Sequence, residues 1–277
     1  MIGLPYSRAR RRGKGHHRAP GGSSAAADTK SYAFDGVDEY ITADGVAGSG
    51  AYDWQSDAWS AATWFKTSET GLQYLWSFAK ANDQHTWAAM RVQENYVWVF
   101  GFSVGSALPG TPVSPQGSNG WFGVKNTDTN GINPSDGNWH HAVLTVAGTA
   151  NTDEACRLYI DGNYVAYAKQ KSSTASMADF TIGCLRRDNG TSVQDFFGGR
   201  IFQMSLYRSA LSASDVSDIY NSGTPVDETT LTPSPDQYYR FGDGDTNGPG
   251  TLTDYGDNAV DGTGVNLEAA DIVEDSP

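Results

Sequence analysis

Asp243, Asp245, Asn247 and Asp254 stand at positions 1, 3, 5 and 12 of a twelve-residue stretch whose sixth residue is Gly248. Side-chain oxygens at that spacing, with glycine at the sharp turn, are what a calcium loop needs. Pro249 at position 7 is compatible, because only its carbonyl would be used. Asp rather than Glu at position 12 shortens the reach, and no helical pattern flanks the stretch. A solvated Asp/Gly turn is the competing reading. Calcium is the one cofactor the residues admit, and none is required.

Three other groups invite chemistry. His140 and His141 are adjacent, so on a regular strand they point to opposite faces and cannot chelate one ion; a framework role is expected for both. Asp153 and Glu154 would diverge for the same reason. Trp54 and Trp59, with Tyr52, sit in a Gly/Ala/Ser-rich segment, and Trp121 precedes Phe122 in a long polar stretch. Exposed rings of this kind stack on sugar faces, whereas buried ones build cores. Trp54, Trp59 and Trp121 are the candidate carbohydrate contacts.

The elements that would position these residues are mostly strands. The chain has 277 residues, with 8 Trp, 14 Tyr and 11 Phe, and few long amphipathic runs, which favours β structure. That length can bury a core without disulfides, and Cys156 and Cys184 read as buried thiols, or as one bridge if the strands bearing them are neighbours. Strands are expected over 31–42, broken by Asp35-Gly36, then at 61–66, 74–79, 86–92 and 96–104. Residues 108–138, rich in Pro, Gly, Ser and Asn, read as a long functional or interaction-bearing loop, with Trp121-Phe122 as a short strand or an exposed aromatic contact. Further strands follow at 139–146, 157–160, 164–168, 180–183 and 200–207. Asp161-Gly162 is a hairpin turn. One helix is expected after Ser212, an N-cap with Asp215 three residues on, with Val216, Ile219 and Tyr220 at helical spacing and Gly223 to stop it. Residues 237–277 return to strands. No apolar run approaches the roughly 20 residues that span a bilayer.

Charge divides the chain. Arg8, Arg10, Arg11, Arg12, Lys14 and Arg18 lie in the first 20 residues, which hold no acid; the remaining 13 Lys and Arg face all 32 Asp and Glu. The early Arg run leaves no apolar segment for a secretory signal. The arm, 1–29, ends in a small-residue linker. It could neutralise phosphates, thread across an acidic groove, or only solubilise. Leu4 and Tyr6 suit it to extended docking on a partner protein. Net charge of −13 makes nucleic acid an unfavourable ligand for the body.

Five pieces occur in a telling order: 32–41 (YAFDGVDEYI), 61–66 (AATWFK), 137–143 (GNWHHAV), 158–162 (LYIDG) and 199–212, running into the helix. Together they resemble the laminin-G-like branch of the concanavalin-A-like lectin/glucanase superfamily. The resemblance implies an all-β, two-sheet antiparallel jelly-roll sandwich over 30–277. Residues 237–277 look like the family's opening segment placed last, as a circular permutation would place it. Asp38 matches one family calcium position, but Phe202 stands where a second Asp is usual. The superfamily's glucanases carry Glu-x-Asp-x-Glu on one strand face; that pattern is missing here, which argues against an enzyme. A lectin-like body with an anchoring arm and no signal resembles tailed-bacteriophage structural proteins. The expectation is a non-enzymatic virion component, a head decoration or a tail or fibre subunit, homo-oligomeric in the assembly. Leu4, Tyr6 and the six basic residues would dock it on other virion proteins, and the body could meet host glycans. A free lectin module is the alternative, and a glycan hydrolase a remote one.

Overall fold

The computed structural model describes residues 28–48, 57–80, 87–94, 96–100, 121–125, 132–148, 154–168, 179–243, 245, 249–258 and 260–277. Leu4, Tyr6, Arg8, Arg10, Arg11, Arg12, Lys14, Arg18, Tyr52, Trp54 and Asn247 lie outside them, as do the side chains of Trp121 and Phe122.

The first half of the chain gives β1 (Ser31–Asp35), β2 (Tyr40–Thr42), β3 (Ala58–Lys66), β4 (Gln73–Ala79), β5 (Trp87–Gln93), β6 (Tyr96–Phe100) and β7 (Trp121–Lys125). Then come β8 (Trp139–Ala147), β9 (Cys156–Ile160), β10 (Asn163–Ala168), β11 (Asp179–Ile182), β12 (Leu185–Arg187), β13 (Ser192–Gln194) and β14 (Gly198–Tyr207). The rest forms β15 (Gln237–Tyr239), β16 (Thr251–Leu252), β17 (Gly262–Val265) and β18 (Ile272–Val273). Helix α1 (Asp44–Gly48) follows β2, and α2 (Ala213–Tyr220) follows β14.

Two antiparallel sheets face each other. The first runs β10-β9-β8-β3-β14-β1-β18, with β15 also paired to β14; the second runs β16-β17-β2-β11-β4-β5-β6-β7. The long polar stretch therefore contains a strand, β7, which closes on β6. The C-terminal segment joins both sheets: β17 pairs with β2 and β18 with β1. This is the sandwich expected from the resemblance, with helix confined to short pieces.

β3 illustrates why the sheets stack. Trp59, Ala61 and Phe65 enter the core between the sheets, while Ala62 joins Val143, Tyr159 and Tyr207 on the outer face. Alternation of side chains along a strand produces this split. A strand apolar on both faces must be covered twice. Val216 and Ile219 of α2, with Leu211, make the second cover. That helix begins as expected: Ser212 Oγ accepts from Asp215 N–H, and the Asp215 carboxylate accepts from Ser212 N–H. It ends earlier than Gly223, at left-handed Asn221. Tyr220 packs over the Asp161-Gly162 turn, where a Cβ on Gly162 would lie 2.7 Å from its ring.

Trp59 is a correction to the sugar-contact reading. It is 1% exposed, with its ring edge-on to Trp76 and Phe78 at 6.2 and 5.8 Å. Strand alternation turns it inward, where no ligand reaches it. Cys156 and Cys184 are unpaired and buried, and burial raises both thiol pKa values. Trp59→Ala is expected to lower unfolding stability by roughly 3–5 kcal/mol in urea titration; a loss well under 1 kcal/mol would contradict the core assignment.

Candidate functional site

The register of three strands builds a polar corner. Lys66 at the end of β3 is opposite Trp139 of β8 on one side and Arg200 of β14 on the other. Their side chains therefore share the outer face of the first sheet. Beside them opens a cleft of about 430 Å³ whose polar lining includes Asp35, Lys66, Thr67, Ser68, Glu69 and Arg200. Glycines 137, 198 and 199 line it too and leave its floor bare. At Gly199, with φ +151°, a Cβ would come 2.3 Å from the Lys66 carbonyl oxygen. Only glycine fits that approach.

The cleft wall is held by a buried network. Thr67 Oγ1 donates to the Gly198 carbonyl at 2.6 Å and accepts from Glu69 N–H at 3.0 Å. Gln73 Nε2 donates to the Glu69 carbonyl at 2.9 Å, and its Oε1 accepts from Gly198 N–H at 2.9 Å. Gly137 N–H donates to the Thr67 carbonyl. Buried, mutually satisfied groups of this kind fix the backbone that carries the lining. Asp35 is held as well: its Oδ1 accepts from Val37 N–H at 2.7 Å. The lining thus offers hydroxyls and carboxylate acceptors in one open, preformed space, beside two cations, Lys66 and Arg200, that are paired with Asp275. That mixture suits a ligand with many hydroxyl groups.

The expected calcium residues are arranged differently. Asp243 Oδ2 accepts from the N–H groups of Thr29 and Lys30. Asp245 accepts from Tyr32 OH and from Gly242 and Thr253 N–H. Asp254 accepts from Tyr238, Gly256 and Val260 N–H, each at 2.8 Å. Each carboxylate ties a different stretch of backbone, so the three do not converge on one point. Among the described residues no group of three or more His, Cys, Asp or Glu is placed to hold a metal ion. These three carboxylates are thus engaged by backbone and side-chain donors, and Asn247, the fourth expected ligand, lies outside the described residues. Strand-end backbone needed acceptors, and these acids supply them.

His140 and His141 do face opposite ways. His140 Nδ1 lies 2.8 Å from Asp161 and its Nε2 3.2 Å from Asp136. His141 is buried beside Trp64 and Tyr220, with neither ring nitrogen bonded. Sequence reasoning passed over Asp35, Lys66, Glu69 and Arg200, which come together only through pairing of distant strands. It also passed over Tyr96 and Trp98, stacked at 4.9 Å on the outer face of the second sheet. Their i, i+2 spacing was the available signal. Trp98 is buried there and offers no open platform.

A family model described as the concanavalin A-like lectin/glucanases superfamily (Laminin_G_3) matches residues 35–217. The chain belongs to this superfamily. Comparison with curated proteins finds no match. Among solved structures, this lectin-like sandwich is similar to a candidate carbohydrate binding protein from Bacteroides ovatus, at 13% identity and TM-score 0.55. The match covers 91% of this chain and 61% of that one, so this chain spans less than two thirds of its length. It is also similar to a heptameric SAP-like pentraxin from Limulus polyphemus: 14% identity, TM-score 0.47, covering 70% and 82%. The CBM40 of the Ruminococcus gnavus IT-sialidase matches at 13% identity and TM-score 0.46, covering 69% and 97%.

Titratable groups inside the lectin-like sandwich make its stability depend on pH. Burial raises Glu228 to about 7, although Tyr207 OH donates to it at 2.5 Å. Burial likewise raises Glu39 to about 7. Burial opposes protonation of His140, but bonds to Asp161 and Asp136 outweigh it and raise its pKa. Groups raised above their unfolded values of about 4.3 for Glu and 6.5 for His stabilise the fold at low pH, and lose that contribution as pH rises through the folded pKa. His141, lowered to about 3 by burial, acts oppositely and loses its contribution as pH falls below about 6.5. Two carboxyls outweigh one imidazole between about pH 4.5 and 7. The melting temperature is therefore expected to be higher near about pH 5 than near about pH 8, and Glu228→Gln to reduce the difference. Thermal melts at the two pH values check this; a more stable wild type at the higher value contradicts it.

Proposed function

We propose that this chain is a non-catalytic carbohydrate-binding protein, displayed on a bacteriophage particle and fastened to it by residues 1–29. The observation that carries the binding reading is the open cleft between Asp35, Lys66, Thr67, Ser68, Glu69 and Arg200. Its neighbouring donors and acceptors on fixed backbone match the alternating hydroxyls of a sugar, and a preformed site avoids the ordering cost of binding. The fold is shared with the Bacteroides ovatus protein described as a candidate carbohydrate binder, which is an argument by analogy. Catalysis is outside the proposal. Hydrolysis needs one carboxyl free to donate a proton and another facing the same bond. Asp35 Oδ1 accepts from Val37 N–H within its turn.

The particle-bound part of the reading comes from the charge division. Six cations without an acid precede an acidic body, so the arm is attracted to surfaces that repel the body. Homo-oligomeric display would multiply weak glycan contacts into useful avidity.

On a broad glycan array, binding is expected and Glu69→Gln is expected to weaken it about tenfold, the loss of one charged hydrogen bond. No binding to any glycan removes the reading. Glycan turnover that disappears in Glu69→Gln would establish a hydrolase instead. Deleting residues 1–20 should leave melting and glycan binding unchanged and abolish incorporation into particles; particles that still carry the truncated protein would overturn the anchoring role.

A further inference from the structure

An acid from the chain itself occupies the cationic side of the cleft. Asp275, two residues beyond β18, lies on the row formed by Lys66, Trp139 and Arg200. Lys66 Nζ donates to its Oδ2 at 3.0 Å, and Trp139 Nε1 donates to its Oδ1 at 3.2 Å. Arg200 Nη1 pairs with the same Oδ2. Both carboxylate oxygens are therefore engaged, by donors from three adjacent strands. The Asp275 side chain is only 19% exposed, unlike an incidental surface pair. Two cations and an indole N–H around one carboxylate make a recognition geometry for carboxylate as a chemical group.

The segment that delivers Asp275 is anchored by Ile272, which packs against the core, and by a short edge pairing. β18 pairs with β1 through only two residues. Beyond it, Ser31 Oγ donates to the Asp275 carbonyl, and Glu274 is largely exposed. Short edge pairings of this kind open more readily than core strands. Lys66 and Arg200 also line the cleft, so whatever frees them from Asp275 adds two cations to it.

We propose that Lys66, Trp139 and Arg200 form a carboxylate subsite of the cleft, that Asp275 is its internal occupant, and that the external ligand is an acidic sugar of the uronic acid type. This rests on the carbohydrate-binding reading and assigns its ligand class. The ligand's carboxylate replaces Asp275, and its hydroxyls meet the rest of the lining. Apparent affinity is reduced by the fraction of molecules in which Asp275 holds the row. A neutral sugar has no group to place there and is indifferent to the occupant.

The test uses the full chain and two probes that differ chiefly in the carboxylate, methyl β-D-glucuronide and methyl β-D-glucoside, with affinities measured by calorimetry or NMR titration. Asp275→Asn is expected to bind the glucuronide about tenfold more tightly than wild type, with the glucoside unchanged. Adding Arg200→Gln is expected to erase the gain. Ser31→Ala, which loosens the segment and leaves every cation in place, is expected to move glucuronide affinity in the same direction by less, and covers the case in which Asp275→Asn does not fold. Equal glucuronide affinity in wild type and folded Asp275→Asn overturns the proposal, as does a gain that survives Arg200→Gln. A lower melting temperature without a gain marks Asp275 as a structural latch only, and also overturns it. If neutral glycans bind while the glucuronide gain is missing, this inference alone falls; if no saccharide binds any variant, the carbohydrate reading falls with it.

Discussion

The register of β3 between β8 and β14 decides what this sandwich buries and what it offers. A slip of one residue would exchange the two faces of the strand. Phe65 would leave the core, and Lys66 would enter it. The observed register sets Phe65 opposite His140 and Lys66 opposite Trp139. It also brings Arg200 level with Lys66. Core and cleft are therefore consequences of one alignment. A double layer of cover enforces it, because the inner face needs the second sheet and the outer face needs α2.

Residues that act within a few positions of each other were legible in the sequence. The Asp161-Gly162 hairpin, the Ser212/Asp215 cap and the opposed histidines all depend on spacing along one element. The cleft depends on residues near 35, 66–69, 137 and 198–200, which no periodicity connects. Its lining was visible only as parts: Lys66 and Arg200 end and begin strand segments that could be recognised, but their adjacency is a property of pairing. Trp59 shows the converse. Its type fits a sugar platform, and its place on an alternating central strand decides otherwise. The loop acids show a third case. Oxygen donors at the right intervals can satisfy backbone amides as readily as an ion, and the spacing of Asp243, Asp245 and Asp254 does not separate the two.

Acids recur as fasteners throughout the molecule. Asp254 gathers three backbone amides near β15. Asp161 accepts from His141 N–H while also engaging the His140 ring, so it joins a hairpin turn to the strand beside it. Glu228 sits buried against Tyr207 beneath the α2 side of the first sheet. A body with many more acids than bases can use them this way because carboxylates accept several bonds at once.

Asp28, the first described residue, pairs with Arg240 and accepts from Gln203 Nε2 at 3.0 Å. The next two amides donate to Asp243. A pull transmitted through the preceding arm would therefore meet a clamp on the C-terminal segment and on β14 before reaching the ladder of β1. Beyond the clamp, β1 lies between β14 and β18, so load along the strand would have to shear its hydrogen bonds together rather than peel them singly. Load arriving at Asp28 would thus be shared between Arg240, which follows β15, and Gln203 of β14.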